Sequence, residues 1–343
     1  MIGSLTVEDL VASPGWYPLE RAPGENVLCI RLDEDDYRAV SFLDQRAVAF
    51  AHGQAACDIA LLESTAAGLP RRAHHLLHIG HVGSTLISRL LGEHAALFCV
   101  REPALLRTLA LEPGARGVPS LDALLAVLAR TWRPEQRALI KESSFVNEIA
   151  GELLKRSGGS AAIFMHAAPL AYLQSILGGP NSRIESRTLG AHRLRRLRRL
   201  AEPARWDPAF DPRSEGEWIA MSWLCEIASL DRAAGAAGRS PLWLDFDRFL
   251  ADPAAALEAL FRTLGEPITT DAAERLARSP IMDRYSKAPE YPYDAALRRE
   301  VLAAAAAEHR DEIARGLAWL ERMAAQLPLA RVALEARQAE WAA

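Results

Sequence analysis

The chain has 343 residues, of which 50% are hydrophobic and 24% charged, with a formal net charge of -4 at pH 7. This composition suits a soluble globular fold with a large core, and it lacks the basic excess that neutralises a nucleic-acid backbone, so nucleic acid is not an expected partner. No run approaches the eighteen apolar residues of a membrane span, and Cys29, Cys57, Cys99 and Cys225 are too dispersed for a zinc site or a disulfide framework. The first twenty residues carry early acidic groups and no basic region leading into an apolar stretch, so a cytoplasmic enzyme without a metal is the expected class.

In chain order, residues 27–51 alternate apolar and polar positions, which predicts two or three short strands in an N-terminal appendage spanning 1–70. From His74 onward short apolar runs alternate with helical patterns, the signature of strand, crossover helix and parallel strand, and this predicts an α/β domain over 71–290. The candidate strands are 76–79, 97–100, 139–141, 161–165 and 242–246. Residues 178–213 break the rhythm with GGPNS, HRLRRLRRL and a proline-rich segment, predicting a helix-and-loop excursion that could act as a lid. Beyond Asp294 alanine abounds and apolar residues recur at helical spacing, so a C-terminal helical cap over 291–343 is expected to pack on the same domain.

The chemistry concentrates in HHLLHIGHVGSTLISRLLGEH, where an apolar strand runs into Gly80-His81-Val82-Gly83-Ser84-Thr85 and a helical pattern follows at once. Glycines let the backbone approach an anion, free N–H groups at a helix start point at it, and hydroxyls in the first turn add donors. The loop therefore predicts a phosphate or sulfate ester as ligand and a P-loop three-layer sandwich with a mostly parallel central sheet. Gly83 is followed by Ser84 without a lysine, so this is not the nucleoside-triphosphatase loop GxxxxGK[ST]. The plain alternative is a glycine-bearing helix entry capped by Ser84.

Strand, GHVGSTL, helix, strand and then Arg101-Glu102-Pro103 resembles the sulfotransferase family, whose 5′-phosphosulfate loop reads P-[KR]-S-G-T-T; Gly83, Ser84 and Thr85 match its last three positions. IFMHAAPLAYLQS resembles the family's 3′-phosphate segment, with Pro169 and Ser175 at the right spacing, and LWLDFDRFLADPAAALEALFRTLGEP is similar to a later strand and helix. The resemblance covers about residues 74–267 and is that of a divergent bacterial-type member. It departs where His81 replaces the loop cation, Val82 the loop serine and Ala167 an arginine, and the C-terminal RKGxxG motif is missing.

The resemblance implies 3′-phosphoadenosine-5′-phosphosulfate as co-substrate, no metal, and transfer of a sulfuryl group to a hydroxyl or amine of a small-molecule or carbohydrate acceptor. It places Gly80, Val82, Gly83, Ser84 and Thr85 around the donor, with Ser175 and an arginine such as Arg183, Arg187 or Arg193 at the 3′-phosphate. Glu102, at the carboxyl edge of the second strand, resembles the glutamate that serves some members as base. Its structural alternative is a salt bridge. His81 would supply charge or a hydrogen bond in the loop, Lys141 positive charge from the third strand end, and the segment from Arg284 to Lys287 a further anion contact. On a strand His74 and His78 face one side and His75 the other, a poor arrangement for one metal ion. The run HRLRRLRRL either gathers the anionic donor or forms a solvated basic face. A non-catalytic nucleotide-binding P-loop protein and a small-metabolite P-loop kinase remain the competing readings.

Overall fold

The computed structural model describes residues 3–112, 114, 116–202, 205–237 and 240–342. Among these residues nine strands form two sheets. The first is four-stranded, in the order β1-β4-β3-β2, from β1 (Gly3–Ser4), β2 (Trp16–Ala22), β3 (Asn26–Arg31) and β4 (Gly53–Asp58). Only β3 lies within the stretch 27–51. Downstream of it Asp33 and Asp36 exchange hydrogen bonds in a capping box that starts the helix Glu34–Ala39, and Asp44 caps a short 3₁₀ turn at Gln45–Phe50. Aspartate caps thus override an alternating pattern that reads as strand.

The second sheet is five-stranded and wholly parallel, in the order β6-β7-β5-β8-β9, from β5 (Ala73–His78), β6 (Leu97–Arg101), β7 (Arg137–Lys141), β8 (Ala162–His166) and β9 (Leu242–Asp245). Every residue of β5, β6 and β8 is buried. Since successive side chains point to opposite faces, both faces of this sheet are covered, which makes three layers. The chain leaves β5 for β6 and β7 on one side and later for β8 and β9 on the other. The carboxyl end of β5 is therefore the switch point where open α/β sheets leave a crevice.

The excursion at 178–213 is mostly one helix, Pro180–Leu200, packed along the helix Glu215–Ala237. Its basic run is only partly a solvated face, with Arg195 and Arg199 exposed. Arg193 and Arg196 are buried, and both donate to the single carboxylate of Glu226. Three helices, Ala295–Glu308, Arg310–Gln326 and Pro328–Ala342, close the chain, and among the described residues no helix is long and apolar enough to cross a membrane.

The N-terminal sheet is joined to the second sheet through residues 37–44. Leu43 N–H donates to Arg101 O (2.8 Å) and Ala104 N–H to Leu43 O (3.2 Å), so the segment lies along the end of β6. The buried Arg101 guanidinium donates to the carbonyls of Val40 (2.9 Å), Arg38 (2.9 Å) and Tyr37. Burial among carbonyls alone pushes its pKa down to about 10.

Candidate functional site

The loop after β5 turns through three left-handed residues, Gly80 (φ 87°), His81 (φ 55°) and Gly83 (φ 66°), and delivers the chain into the helix Ser84–Leu91. Gly83 is the N-cap and offers no side chain, so the first N–H groups of the helix have no side-chain acceptor. Thr85 Oγ1 is buried there without a hydrogen-bond partner. A Cβ on Gly83 would fall 2.0 Å from Cε2 of Phe246, whose ring fills the space over the glycine. Arg298 in turn lies 4.8 Å from that ring's centroid and is held by Asp247 at 2.8 Å.

Around this helix end lies a cavity of about 260 Å³. Opposite the loop stand Glu102 and Lys141, at the ends of neighbouring strands β6 and β7, which form an ion pair. Glu102 N–H donates to Lys141 O (2.6 Å), and Glu102 adopts φ 51°, a left-handed conformation that costs energy in a residue other than glycine. Of the three such residues among those described, His81, Glu102 and Glu202, two line this cavity. Lys141 is fully buried, and burial pushes its pKa below the ordinary lysine value while Glu102 pushes it back up. The Phe42 ring, carried in by the N-terminal segment, lies 5.7 Å from Lys141 Nζ, 5.8 Å from Lys287 Nζ and 3.7 Å from the Arg46 guanidinium.

His78 also lines the cavity. Its Nδ1 accepts from Gly80 N–H (2.9 Å), and burial, reinforced by the Lys141 and Lys287 charges, holds its pKa well below the usual value, so it is a neutral ring protonated at Nε2. His74 accepts from Ala161 N–H (3.0 Å), and His75 lies between Glu142 (2.6 Å) and Ser157 (2.7 Å). The three histidines thus serve three separate hydrogen-bond sets.

The roof is the loop following residue 283. An antiparallel bridge joins Arg284 to Pro292, and Tyr285 N–H donates to Tyr291 O (2.9 Å). The Arg284 and Lys287 side chains line the cavity and have no carboxylate within ion-pair reach among the described residues. Arg89, from the helix that begins at Ser84, holds the roof in place. It donates to Ser286 O (2.9 Å), Arg38 O (3.1 Å), Ala39 O (3.1 Å) and Ser41 Oγ (2.9 Å).

The remaining wall is the Gly178-Gly179 corner and the start of the helix Pro180–Leu200. Ser175 and Ser182 reach the cavity, Ser182 Oγ lies 3.1 Å from His81 Nδ1, and Glu185 lies 3.4 Å from His81 Nε2. Burial raises the Glu185 pKa, but the hydrogen bond and charge of His81 outweigh this and bring it to about 2. Val82, Gly83, Ser84, Thr85, Glu102, His81, Lys141 and Ser175 are brought together as the sequence suggests; Arg183 is not. It is turned onto Glu215 in a bidentate pair (3.0 and 2.6 Å), because Glu215 opens the next helix beside it. Gly80 shapes the turn and its N–H is spent on His78. Trp206, Trp218, Trp223 and Trp243 pack in the core rather than in the cavity. Phe42, Ser182, Glu185, Phe246 and Arg298 carry no local signal, since they reach the site from other elements.

No protein-family model matches the sequence, and no curated protein matches it. Solved structures do. Sulfotransferases are among the chains it resembles. The sulfotransferase domain from the curacin biosynthetic pathway is 14% identical at a TM-score of 0.40, covering 74% of this chain and 98% of that one. That of the Synechococcus PCC 7002 olefin synthase is 16% identical at 0.40, covering 75% and 95%. Mouse sulfotransferase SULT7A1, in a structure complexed with PAP, is 10% identical at 0.42, covering 80% and 93%.

The arrangement combines two chemistries within one cavity. The helix start offers uncapped N–H groups and an unspent buried hydroxyl, and the roof adds the cations Arg284 and Lys287, a setting for a multiply charged anion. The strand ends offer a carboxylate with an ammonium beside it, which can accept a proton while charge develops nearby.

Proposed function

We propose that the protein is a sulfotransferase-type enzyme that uses 3′-phosphoadenosine-5′-phosphosulfate and modifies a hydroxyl or amine of a small-molecule or carbohydrate acceptor. The observation that carries this reading is the Glu102–Lys141 pair facing an uncapped helix N-terminus, with Thr85 Oγ1 unspent, across one cavity. The donor's chemistry is an activated sulfuryl group on a phosphate leaving group. Ser84, Thr85 and the first N–H groups of their helix bind the 5′-phosphate, and Arg284 and Lys287 meet its negative charge from the roof. Ser175 remains the candidate for the 3′-phosphate.

Glu102 takes the proton of the acceptor hydroxyl or amine. Its neutralisation releases Lys141 from the ion pair just as negative charge grows on the leaving oxygen, so one proton transfer both activates the acceptor and frees a cation. Neutral His78, whose Nε2 lies 4.0 Å from Glu102 and has no hydrogen-bond partner in the protein, offers an unspent donor in the same corner. His81, held between Ser182 and Glu185, orients the loop and adds a polar contact in place of a lysine.

The test is thermal stabilisation by 3′-phosphoadenosine-5′-phosphate without magnesium, with ATP as comparator. Selective stabilisation by the 3′-phosphorylated nucleotide is expected, and Glu102→Gln should keep it while losing transfer to any acceptor found by screening. Stabilisation by magnesium ATP alone would point to a kinase. Silence with both would remove the nucleotide reading.

A further inference from the structure

Away from this cavity a second one, of about 360 Å³, lies between the helices Ala150–Arg156, Pro180–Leu200 and Glu215–Ala237. Small residues, Gly151, Ala233 and Ala236, open it, and its volume falls within the range of small-molecule pockets. Arg196 stands in its lining and is 3% exposed. Arg196 Nε is spent on Cys225 (3.1 Å) and Nη2 on Glu226 (2.5 Å), but Nη1 finds no hydrogen-bond partner. The charges do not balance either. Glu226 Oε1 also takes Arg193 Nε (2.7 Å), so two buried guanidiniums share one carboxylate, and the other carboxylate that acts on Arg196, Glu148, is itself paired with Arg199.

Burying two cations against one shared carboxylate is unfavourable, and the unpaired donor adds a second cost. The rim supplies more of the same sign. Arg199, Arg232 and Lys155 border the cavity, and Arg232 has no ion-pair partner among the described residues. Glu148 Oε1 is paired with Arg199 while its Oε2 lies 3.3 Å from His192 without a hydrogen bond, and Glu152 is paired with Lys155 and Arg156. We propose that this cavity is a second ligand site, which takes a small molecule through a phosphate, sulfate or carboxylate group held by Arg196 and met at the rim by Arg232 and Lys155. It is independent of the transferase reading.

The site is wired to the first one. Asn147 lines it, and its amide nitrogen donates to His78 O (3.0 Å) and to Glu226 (2.9 Å), while Arg193 donates to Ser144 Oγ (3.2 Å) behind the Gly80 turn. Asn147 therefore links the carboxylate that pairs with Arg196 to the end of β5.

The experiment is a soak of crystals of the full chain in sodium tungstate, whose tetrahedral oxyanion stands in for phosphate and sulfate, with anomalous maps from wild type and an Arg232→Gln/Lys155→Gln double variant. Both substitutions are at the rim and leave the buried network intact. A peak beside Arg196 in wild type that falls at least threefold in occupancy in the double variant is the expected result, with any peak at the Ser84 helix start unchanged. Displacement of the tungstate by phosphate or by citrate then separates a phosphorylated from a carboxylated ligand. Density only at the Ser84 helix start, or a peak beside Arg196 indifferent to the rim substitutions, would overturn the proposal.

Discussion

Arg89→Met tests whether one side chain keeps the cationic roof closed. The methionine preserves most of the volume and removes all four donated hydrogen bonds, of which the one to Ser286 O holds the roof directly. Ser41 Oγ, which Arg89 also orients, makes only long contacts of its own to Ser286 O (3.4 Å) and Lys287 O (3.3 Å). A charge-assisted hydrogen bond of this kind contributes about 1.5–3 kcal/mol, and burial disfavours the charged guanidinium, which trims the gain. A loss of about 2–3 kcal/mol in roof docking is expected, which raises its open population roughly 30- to 150-fold without unfolding the core. Amide exchange by mass spectrometry reads this directly. Protection of residues 284–293 should fall by that factor while β5 and β6 keep theirs, and affinity for 3′-phosphoadenosine-5′-phosphate should fall with it. Unchanged exchange in 284–293 would refute the role given to Arg89.

Thr85→Val removes a buried hydroxyl that has no partner in the protein, so stability should hold or rise, whereas nucleotide affinity should drop about tenfold by calorimetry. Glu102→Gln leaves the Lys141 charge buried and should lower urea stability by about 2–4 kcal/mol, with Lys141→Met added to it restoring most of that loss but no activity. His74 is held at about pKa 4, chiefly by burial, against 6.5 when unfolded, so its contribution is complete above pH 6.5 and lost as pH falls towards 4. Between pH 7 and 4.5 the wild type should therefore lose about 2–3 kcal/mol more in urea unfolding than His74→Gln. Equal losses would refute this.

All five core strands are legible in the sequence because each is a short apolar run buried on both faces, and their ends shift by no more than three residues. The glycine turn is legible for the same local reason: Gly80, Gly83 and the following hydroxyls sit together in the chain. What escapes is whatever depends on distant partners. Arg193 and Arg196 look like a wet basic stripe until Glu226, thirty residues on, comes to lie between them. Arg183 has the right chemistry for a phosphate, but Glu215 reaches it first. Phe42 has no pattern at all, since only the hydrogen bonds of Leu43 to the end of β6 carry its ring to Lys141.

Arg89 gathers carbonyls from residues 38, 39 and 286 around a helix that begins at 84. A growing chain thus owns its glycine turn long before it owns the roof that closes it. A fragment ending before residue 284 would keep the glycine turn but lack both free cations. On the proposed reading, competence to hold a multiply charged anion arrives late in synthesis, when the segment after residue 283 docks on a guanidinium already anchored by the N-terminal segment.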